Sequence, residues 1–358
     1  DVLNDMGNLF WLLARLTLES ELAITNLQQA IEMYRDAIAH LPDQIHNQTP
    51  DQTHDPTQLT ARSMVQNNLG AAYADLARYQ EPVENIQQSI VAYLDAAQCC
   101  PAEVDAQRFA SVQNNLGTAY WNLAQYEQPL AHLKQAIGAY SEALHYYKPT
   151  EDPLHYAMIQ NNLGTAYWNL SQYERPKDWL MLAVSAYGSA LKYRTLEAAP
   201  AAFAATQNNL GTAYWHIADQ AEDPQVRMDY LKQAIVAYNQ ALEAASHLLG
   251  TENQSAASLV NFDVFATHNN LGLAHYQLAS DFEAALDQPN RSTHLTQALQ
   301  HHVTALQGWK QKPDFYQTAL RSILQTIRTA YSQEGIAGQN RALSIVPADL
   351  LPELLPQL

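Results

Sequence analysis

The side chains best suited to recognition chemistry are asparagines and tryptophans that recur at a fixed spacing. The phrase Gln-Asn-Asn-Leu-Gly occurs at residues 66–70, 113–117, 160–164 and 207–211, and a copy beginning with histidine occupies residues 268–272. An asparagine amide offers both a hydrogen-bond donor and an acceptor, so a row of them can pair with the backbone of an extended peptide. Tryptophan provides a large contact area with little loss of rotamer entropy.

On a helical wheel, the first asparagine of each phrase shares a face with the residues four and seven positions later. Leu116, Tyr120 and Leu123 fall on the opposite face. We therefore predict a peptide-binding surface. Its residues are Asn67, Asn114, Thr118, Trp121, Asn161, Thr165, Trp168, Asn208, Thr212, Trp215, Asn269 and Tyr276.

A second interpretation of the same pattern is structural. Each repeated asparagine would bond its counterpart in the next repeat or a helix carbonyl, and each tryptophan would pack between repeats. The second asparagine of each phrase is expected to be structural, because it lies about 100° around the helix, nearer the adjacent repeat. The sequence leaves both interpretations open for the first asparagine and for the tryptophans.

The sequence shows no combination of residues typical of catalysis or metal binding. None of the thirteen histidines has the i, i+4 pairing with a flanking glutamate that helical zinc sites use. A glycine-rich phosphate loop and a Gly-x-Ser-x-Gly elbow are both missing. The only cysteines, Cys99 and Cys100, are adjacent, which strains a mutual disulfide. We therefore expect a non-enzymatic protein with reduced cysteines, no cofactor and no metal.

The recurring residues belong to a repeat array. The glycines that end each phrase, with Gly7 of a degraded copy at residues 3–7, are separated by 63, 47, 47, 47 and 61 residues. A fixed central period of this size indicates a solenoid. The two longer steps predict insertions at residues 42–56 and at about residues 247–260.

Each repeat is predicted to be a pair of helices. Helix A carries the phrase, and helix B follows a short turn that contains proline and carries a pattern such as Ala136, Tyr140 and Ala143. Small residues alternating with a tyrosine suit helices that pack closely, with a ring in the gap left by an alanine or glycine. Six hairpins are predicted at about residues 1–41, 60–100, 105–148, 153–197, 200–248 and 262–312, with a capping helix at 313–338 and an apolar tail at 339–358.

These residues resemble the tetratricopeptide repeat superfamily. Its pattern is Leu-Gly-x-x-Tyr in helix A and Ala-x-x-x-Tyr/Phe-x-x-Ala in helix B, which Leu116 to Tyr120 and Ala136 to Ala143 match. The period of 47 residues exceeds the usual 34 and implies longer helices. The phrase is similar to those of kinesin light chains and peptide-sensing bacterial regulators, and most resembles arrays in cyanobacterial multidomain proteins. The resemblance implies an all-α, right-handed superhelical solenoid with a protein-binding groove lined by A helices.

The charge balance limits the partners. Nineteen Lys and Arg residues against 36 Asp and Glu give a net charge of −17, which repels nucleic acid and anionic membranes. No apolar stretch is long enough to span a membrane. We expect a neutral or basic protein or peptide partner, no nucleic acid, and a cytoplasmic location. Because the sequence opens on Asp1-Val2-Leu3 with no signal-peptide pattern, we expect it to be cut from a longer protein.

The composition and pattern together favour a scaffold or adaptor. Two alternatives remain at this stage. The chain could be the regulatory or sensor domain of a larger enzyme, or a self-assembly module that forms homo-oligomers. In the second case, the apolar segment at residues 350–355 would dock into its own groove or that of a neighbouring chain.

Overall fold

The chain folds into helices arranged in two compact units. The computed structural model describes residues 2–41, 56–249, 262–281 and 287–358. The units are Asp1–Glu174 and Arg175–Leu358. Within the described ranges there is helix and no strand, which confirms the all-α helical-repeat fold. Both predicted insertions lie largely outside these ranges. No described helix is long and apolar enough to cross a membrane.

The described residues of the first unit form seven helices. Helices α1 to α7 are Val2–Leu16, Ser20–His40, Pro56–Leu76, Pro82–Cys99, Ala106–Leu123, Pro129–Tyr146 and Pro153–Leu170. Each packs against its neighbours in sequence, and α1, α3, α5 and α7 also contact one another in succession. These odd-numbered helices are the predicted A helices, and α2, α4 and α6 are the B helices. The repeated phrase lies in the middle of α3, α5 and α7, and its degraded copy lies at the start of α1.

The second unit begins with a B helix and ends with the C-terminal helices. Helices α8 to α14 are Pro176–Leu191, Pro200–Gln220, Pro224–Leu249, Val264–Asp281, Gln288–Gly308, Pro313–Ile345 and Leu351–Leu354, followed by a 3-10 turn at Leu355–Gln357. Here α9 and α11 are A helices, and α8, α10 and α12 are B helices. The predicted fourth hairpin thus comprises α7, which ends the first unit, and α8, which begins the second.

The C-terminal region differs from the prediction of a capping helix and a separate tail. Helix α13 continues past residue 338 to Ile345, with a kink at Gly335, whose φ of 62° and ψ of −150° are non-helical. The tail then returns onto α12 and α13, because Val346, Leu350 and Leu354 are buried in one cluster with residues of both helices. The Tyr316 hydroxyl donates to Glu353 Oε2 at 2.8 Å. The apolar segment 350–355 is therefore occupied within its own unit.

Three of the turns between A and B helices share one backbone conformation. A residue with positive φ is followed by a proline at the first position of the B helix. The φ values are 43°, 43° and 42°, in the left-handed region that non-glycine residues seldom adopt. Proline at the first helical position costs no hydrogen bond, because its missing N–H would have no intrahelical partner. The pairs are Glu81–Pro82, Gln128–Pro129 and Arg175–Pro176.

In five hairpins, the ring of a buried B-helix residue lies over the phrase glycine of the A helix. A Cβ added to the glycine would lie 2.5–2.8 Å from the nearest ring atom. Real Cβ atoms essentially never approach so closely, so only glycine admits the ring. The pairs are Gly7–Tyr34, Gly70–Tyr93, Gly117–Tyr140, Gly211–Tyr238 and Gly272–His302. We call this contact the glycine–ring contact.

The glycine–ring contact predicts opposite effects on stability for substitutions at two glycines of the third hairpin. We expect Gly117→Leu to lower the free energy of unfolding by more than about 2 kcal/mol, because the side chain overpacks the interface. Gly138, on α6, has no atom within 4 Å of an added Cβ. We expect Gly138→Ala to raise the free energy of unfolding by about 0.5–1 kcal/mol through helix propensity.

Urea unfolding followed by circular dichroism checks both variants. Equal midpoints for Gly117→Leu and the unmodified chain would show that the helices separate easily at this contact.

Candidate peptide-binding surface on the A helices

All twelve predicted surface residues lie on A helices. None of them is exposed. Asn114 and Asn269 are buried, with 8% and 6% of their surface exposed, and the other ten are partly buried. Their side chains therefore take part in packing, and their contacts decide what remains for a ligand.

The asparagines of the first unit form a ladder between repeats. The second asparagine of each phrase donates from Nδ2 to Oδ1 of the first asparagine in the preceding repeat. The bonds run from Asn68 to Asn4 at 3.1 Å, from Asn115 to Asn67 at 3.0 Å and from Asn162 to Asn114 at 3.2 Å. This arrangement agrees with the structural interpretation of the repeated asparagines, in which each bonds its counterpart in a neighbouring repeat. It engages the Oδ1 atoms that a peptide N–H would otherwise use.

The asparagines of the second unit have different partners. Asn208 Oδ1 accepts from the Thr267 hydroxyl at 2.7 Å. Asn269 Oδ1 lies 3.2 Å from Nδ1 of His302, the ring that replaces tyrosine in this hairpin. The amide oxygens are thus engaged here too, but by a hydroxyl and an imidazole.

The predicted threonines support the hairpin itself. Thr118, Thr165 and Thr212 each donate to the carbonyl four residues earlier in the same helix. The Thr118 hydroxyl lies 3.0 Å from the Tyr140 hydroxyl, and the Tyr238 hydroxyl donates to Thr212 at 3.2 Å. Thr118 and Thr212 each follow the phrase glycine, so each satisfies the hydroxyl of the ring that covers that glycine. Sequence reasoning missed this role, because the threonine and the tyrosine lie on different helices.

The aromatic residues of the predicted surface, together with Trp11 at the equivalent position of α1, form a row that we call the aromatic row. Two of its tryptophans bond to the following A helix. Trp11 donates from Nε1 to Asp75 Oδ2, and Trp215 to Gln277 Oε1, both at 2.9 Å. Trp121 Nε1 is buried and has no hydrogen-bond partner among the described residues. The Tyr276 hydroxyl contacts Gln325 and Thr329 of α13 at 3.0 and 3.1 Å. The last member of the row is therefore covered by the C-terminal helix.

One part of the surface remains open. A cavity of about 290 Å³ lies between α3 and the start of α5. Its lining consists of Asn67, Asp105, Gln107, Arg108, Ser111 and Val112. Gln107 and Ser111 precede Asn114 by seven and three positions, so they extend the predicted face by two helical turns. The wheel would have identified them, but they lie outside the repeated phrase.

The cavity lining offers both hydrogen-bond donors and acceptors. Asp105 Oδ1 caps α5 by accepting from the Arg108 backbone N–H at 3.0 Å, and its Oδ2 lies 3.4 Å from Arg108 Nε. The Gln107 side chain is exposed and its amide can donate and accept. This lining suits one polar or basic side chain and an adjacent peptide group.

The sixth hairpin concentrates five histidines on α11 and α12. His268 and His301 approach to 3.0 Å between their Nδ1 atoms, and His275 and His294 to 2.8 Å. The described ranges contain no group of three or more His, Cys, Asp or Glu side chains arranged to hold a metal ion.

Cys99 and Cys100 are free and buried, and burial raises the pKa of both thiols.

Burial keeps these histidines neutral. Burial, together with a smaller effect of neighbouring imidazoles, lowers the pKa of His302 and His275 to about 3 and that of His301 to about 4. Burial also lowers the pKa of His268 and His294. An imidazole that is hard to protonate in the folded chain is a packing element at neutral pH.

Comparisons with known proteins add nothing to what the structure itself shows of the fold. No protein-family model matches the chain, and no curated protein matches it in sequence. A circular tandem repeat protein with novel repeat topology is similar at 12% identity and a TM-score of 0.35, over 99% of this chain and 89% of that one. A human IFIT1 dimer with m7Gppp-AAAA is similar at 12% identity and a TM-score of 0.26, over 96% of this chain and 83% of that one. These values are too low to bear on function. The chain is an all-α helical-repeat protein.

The asparagine ladder predicts an energetic coupling between two residues. In a double-mutant cycle on Asn114→Ala and Asn162→Ala, we expect a coupling of about 1 kcal/mol, the usual net value of a hydrogen bond between neutral groups. Urea unfolding supplies the four free energies. Pairing Asn162→Ala with Gln88→Ala, an exposed position on α4, should be additive within about 0.3 kcal/mol. Zero coupling for the asparagine pair would leave Asn114 available to a ligand.

The histidines predict a loss of stability in mild acid. Their folded pKa values lie below the ordinary value near 6.5. Their contribution is therefore complete above about pH 6.5 and is lost as the pH falls toward their folded values. We expect His302→Tyr, which restores the tyrosine of the other hairpins, to lose less unfolding free energy between pH 7.5 and pH 5 than the unmodified chain. His145→Tyr, at an exposed position on α6, is the matched control. If the unfolding free energy fell equally for His302→Tyr and the unmodified chain, His302 would not be a source of the acid sensitivity.

Proposed function

We propose that this chain is a non-enzymatic scaffold that binds a segment of another protein along the A helices of the first unit. The supporting observation is the open cavity between α3 and α5, which continues the polar and aromatic face of the A helices. Many of the polar groups on that face are already paired, within a hairpin or between repeats. Among the described residues, the exposed Gln107 in the cavity lining has an amide without a hydrogen-bond partner.

The size and lining of the cavity define the ligand. A volume of about 290 Å³ is at the lower limit of small-molecule pockets and suits a single side chain. Asp105 and Gln107 can accept from a basic or amide side chain. The net charge of −17 favours a neutral or basic segment and disfavours nucleic acid. The peptide would lie across α3 and α5 with one side chain in the cavity.

A matched pair of substitutions tests this proposal. Peptides selected from a displayed random library on the unmodified full-length chain would be measured by fluorescence anisotropy. Gln107→Arg fills the cavity mouth with a cation, whereas Gln88→Arg places the same cation on an exposed site of α4. We expect Gln107→Arg to weaken binding by at least about tenfold, or about 1.4 kcal/mol, and Gln88→Arg by less than about twofold.

The two variants carry the same net charge, so a difference between them locates the ligand. Selected peptides should be neutral or basic, and their association should slow as salt rises. Equal binding by both variants would place the site elsewhere. A library that yields no peptide, or selection of strongly acidic peptides, would overturn the proposal.

A further inference from the structure

A second cavity lies on helix α13, in the second unit. Its volume is about 580 Å³. The lining that the structure describes contains two arginines and no acidic side chain, and its apolar member, Leu324, is buried. The side chains that carry its chemistry are Arg321, Gln325, Arg328, Thr329 and Ser332. These residues recur at intervals of three and four, so they share one face of the helix.

Helix α13 keeps the register of an A helix. Four of its core positions match four core positions of α5, and each of these residues is at most 4% exposed. In this alignment Arg321 takes the position of the first phrase asparagine, and Arg328 takes that of the tryptophan seven residues later. The face that we predicted to bind a ligand thus continues onto α13. The matched pairs are Ala319 and Val112, Ile323 and Leu116, Thr326 and Ala119, and Ala330 and Leu123.

The chemistry of this face changes at α13. In the preceding A helices of the same unit, the two positions hold uncharged residues, Asn208 with Trp215 and Asn269 with Tyr276. Helix α13 has a cation at both. Seven residues of helix rise by about 10 Å, so the two guanidinium groups can approach one ligand from either side. The two substitutions therefore create a cationic site where the other repeats have a neutral surface.

Both guanidinium groups keep free N–H donors. Arg321 donates within its own helix, from Nε to the Gln317 carbonyl at 3.3 Å and from Nη2 to Thr318 Oγ1 at 3.4 Å. Arg328 donates from Nη2 to the carbonyl of Gln357. A guanidinium has five N–H groups, so most of them lack an acceptor among the described residues. Neither arginine has a carboxylate at ion-pair distance in the described ranges, although the chain has 36 acidic residues.

Helix α11 holds the neutral groups of the cavity in place. The Tyr276 hydroxyl accepts from Gln325 Nε2 at 3.0 Å and lies 3.1 Å from Thr329 Oγ1. These contacts fix the amide of Gln325 and the hydroxyl of Thr329 on the face that carries the two arginines. Ser332 adds a second hydroxyl one turn beyond Arg328. Hydroxyl and amide donors beside two guanidinium groups can complete the hydrogen bonds of a bound anion.

We propose that this cavity binds a phosphate group, with room for a small organic molecule that carries it. A phosphate monoester has a charge near −2 at neutral pH and three acceptor oxygens, which match two guanidinium groups and the neighbouring hydroxyls. A single carboxylate would leave one guanidinium without a partner. The volume of about 580 Å³ lies in the range of small-molecule sites, and Leu324 offers an apolar contact to the organic group.

The charge of the chain limits the size of the ligand. The net charge of −17 repels a polyanion, whose further phosphates would lie outside the cavity. A single phosphate meets the two arginines at short range and meets the remaining charges at distances that salt screens. Nucleic acid is therefore still disfavoured. The source of the phosphate is a phosphorylated small molecule or free phosphate.

Isothermal titration calorimetry with phenyl phosphate tests the site. We expect the unmodified chain to bind it with a Kd below about 1 mM, and Arg321→Gln to weaken binding by at least about tenfold. Arg78→Gln removes the same charge from an exposed position just after α3, and should change the affinity by less than about twofold. Because Arg321 bonds only within its own helix, its variant should keep the thermal midpoint of the unmodified chain.

Further titrants distinguish the two sources. Inorganic phosphate that binds more weakly than phenyl phosphate would identify a phosphorylated molecule, and equal affinity would identify free phosphate; both results support the site. Gln107→Arg, in the other cavity, should leave the affinity for phenyl phosphate unchanged, so the two proposals can fail separately.

Three results would overturn the proposal. One is the absence of binding by both phosphate compounds up to about 10 mM. Another is equal affinity of Arg321→Gln and Arg78→Gln for phenyl phosphate. The third is binding of succinate or a short oligonucleotide as tight as that of phenyl phosphate, since it would show that the site does not select a single phosphate.

Discussion

The contact between the phrase glycine and the B-helix ring is the constraint on which the repeat depends. In five hairpins, the ring lies where the Cβ of any other residue would stand. The two helices can therefore approach closely, and the ring fixes both their separation and their rotation. In three of these hairpins the tyrosine hydroxyl pairs with the residue after the glycine, as Tyr34 donates to Asn8 Oδ1 at 2.8 Å. The sixth hairpin keeps the contact with His302, and Leu273 stands at the position of that polar residue.

This constraint also determines what the asparagines do. Once each hairpin has the same geometry, consecutive A helices stack in register and bring the second asparagine of one phrase against the first asparagine of the preceding one. A buried amide without a partner costs about as much as a lost hydrogen bond, so the pairs suit the interior of a stack. A shift of register would leave every amide in the ladder unpaired. The ladder therefore specifies alignment of the repeats, and affinity for a ligand has to come from the part of the face that the ladder leaves open.

Periodicity was sufficient to predict the helices and the fit of a ring against a small residue, because each is encoded within one repeat. A helical wheel correctly placed Asn114 and Thr118 on one face. Because a wheel describes a single helix, it could not predict which other helix covers that face. Thr118 contacts Tyr140 across the hairpin, and Asn114 contacts Asn162 in the next repeat. Residues 346–354 carried no period at all, and their return onto α13 depends on the kink at Gly335. These are tertiary contacts, which spacing alone cannot supply.

In a repeat protein, the residues that occupy the same position in several repeats indicate what packing inside the stack requires. Alanine at 72, 119 and 166 reports a close helix neighbour, and a polar residue at 75, 122 and 169 reports the edge of the covered face. A departure from the shared residue then reports a different neighbour. Helix α1 departs at both positions, with Leu9 and Leu12, whose side chains are 55% and 50% exposed. A comparison between repeats thus separates residues that serve packing inside the stack from residues that do not.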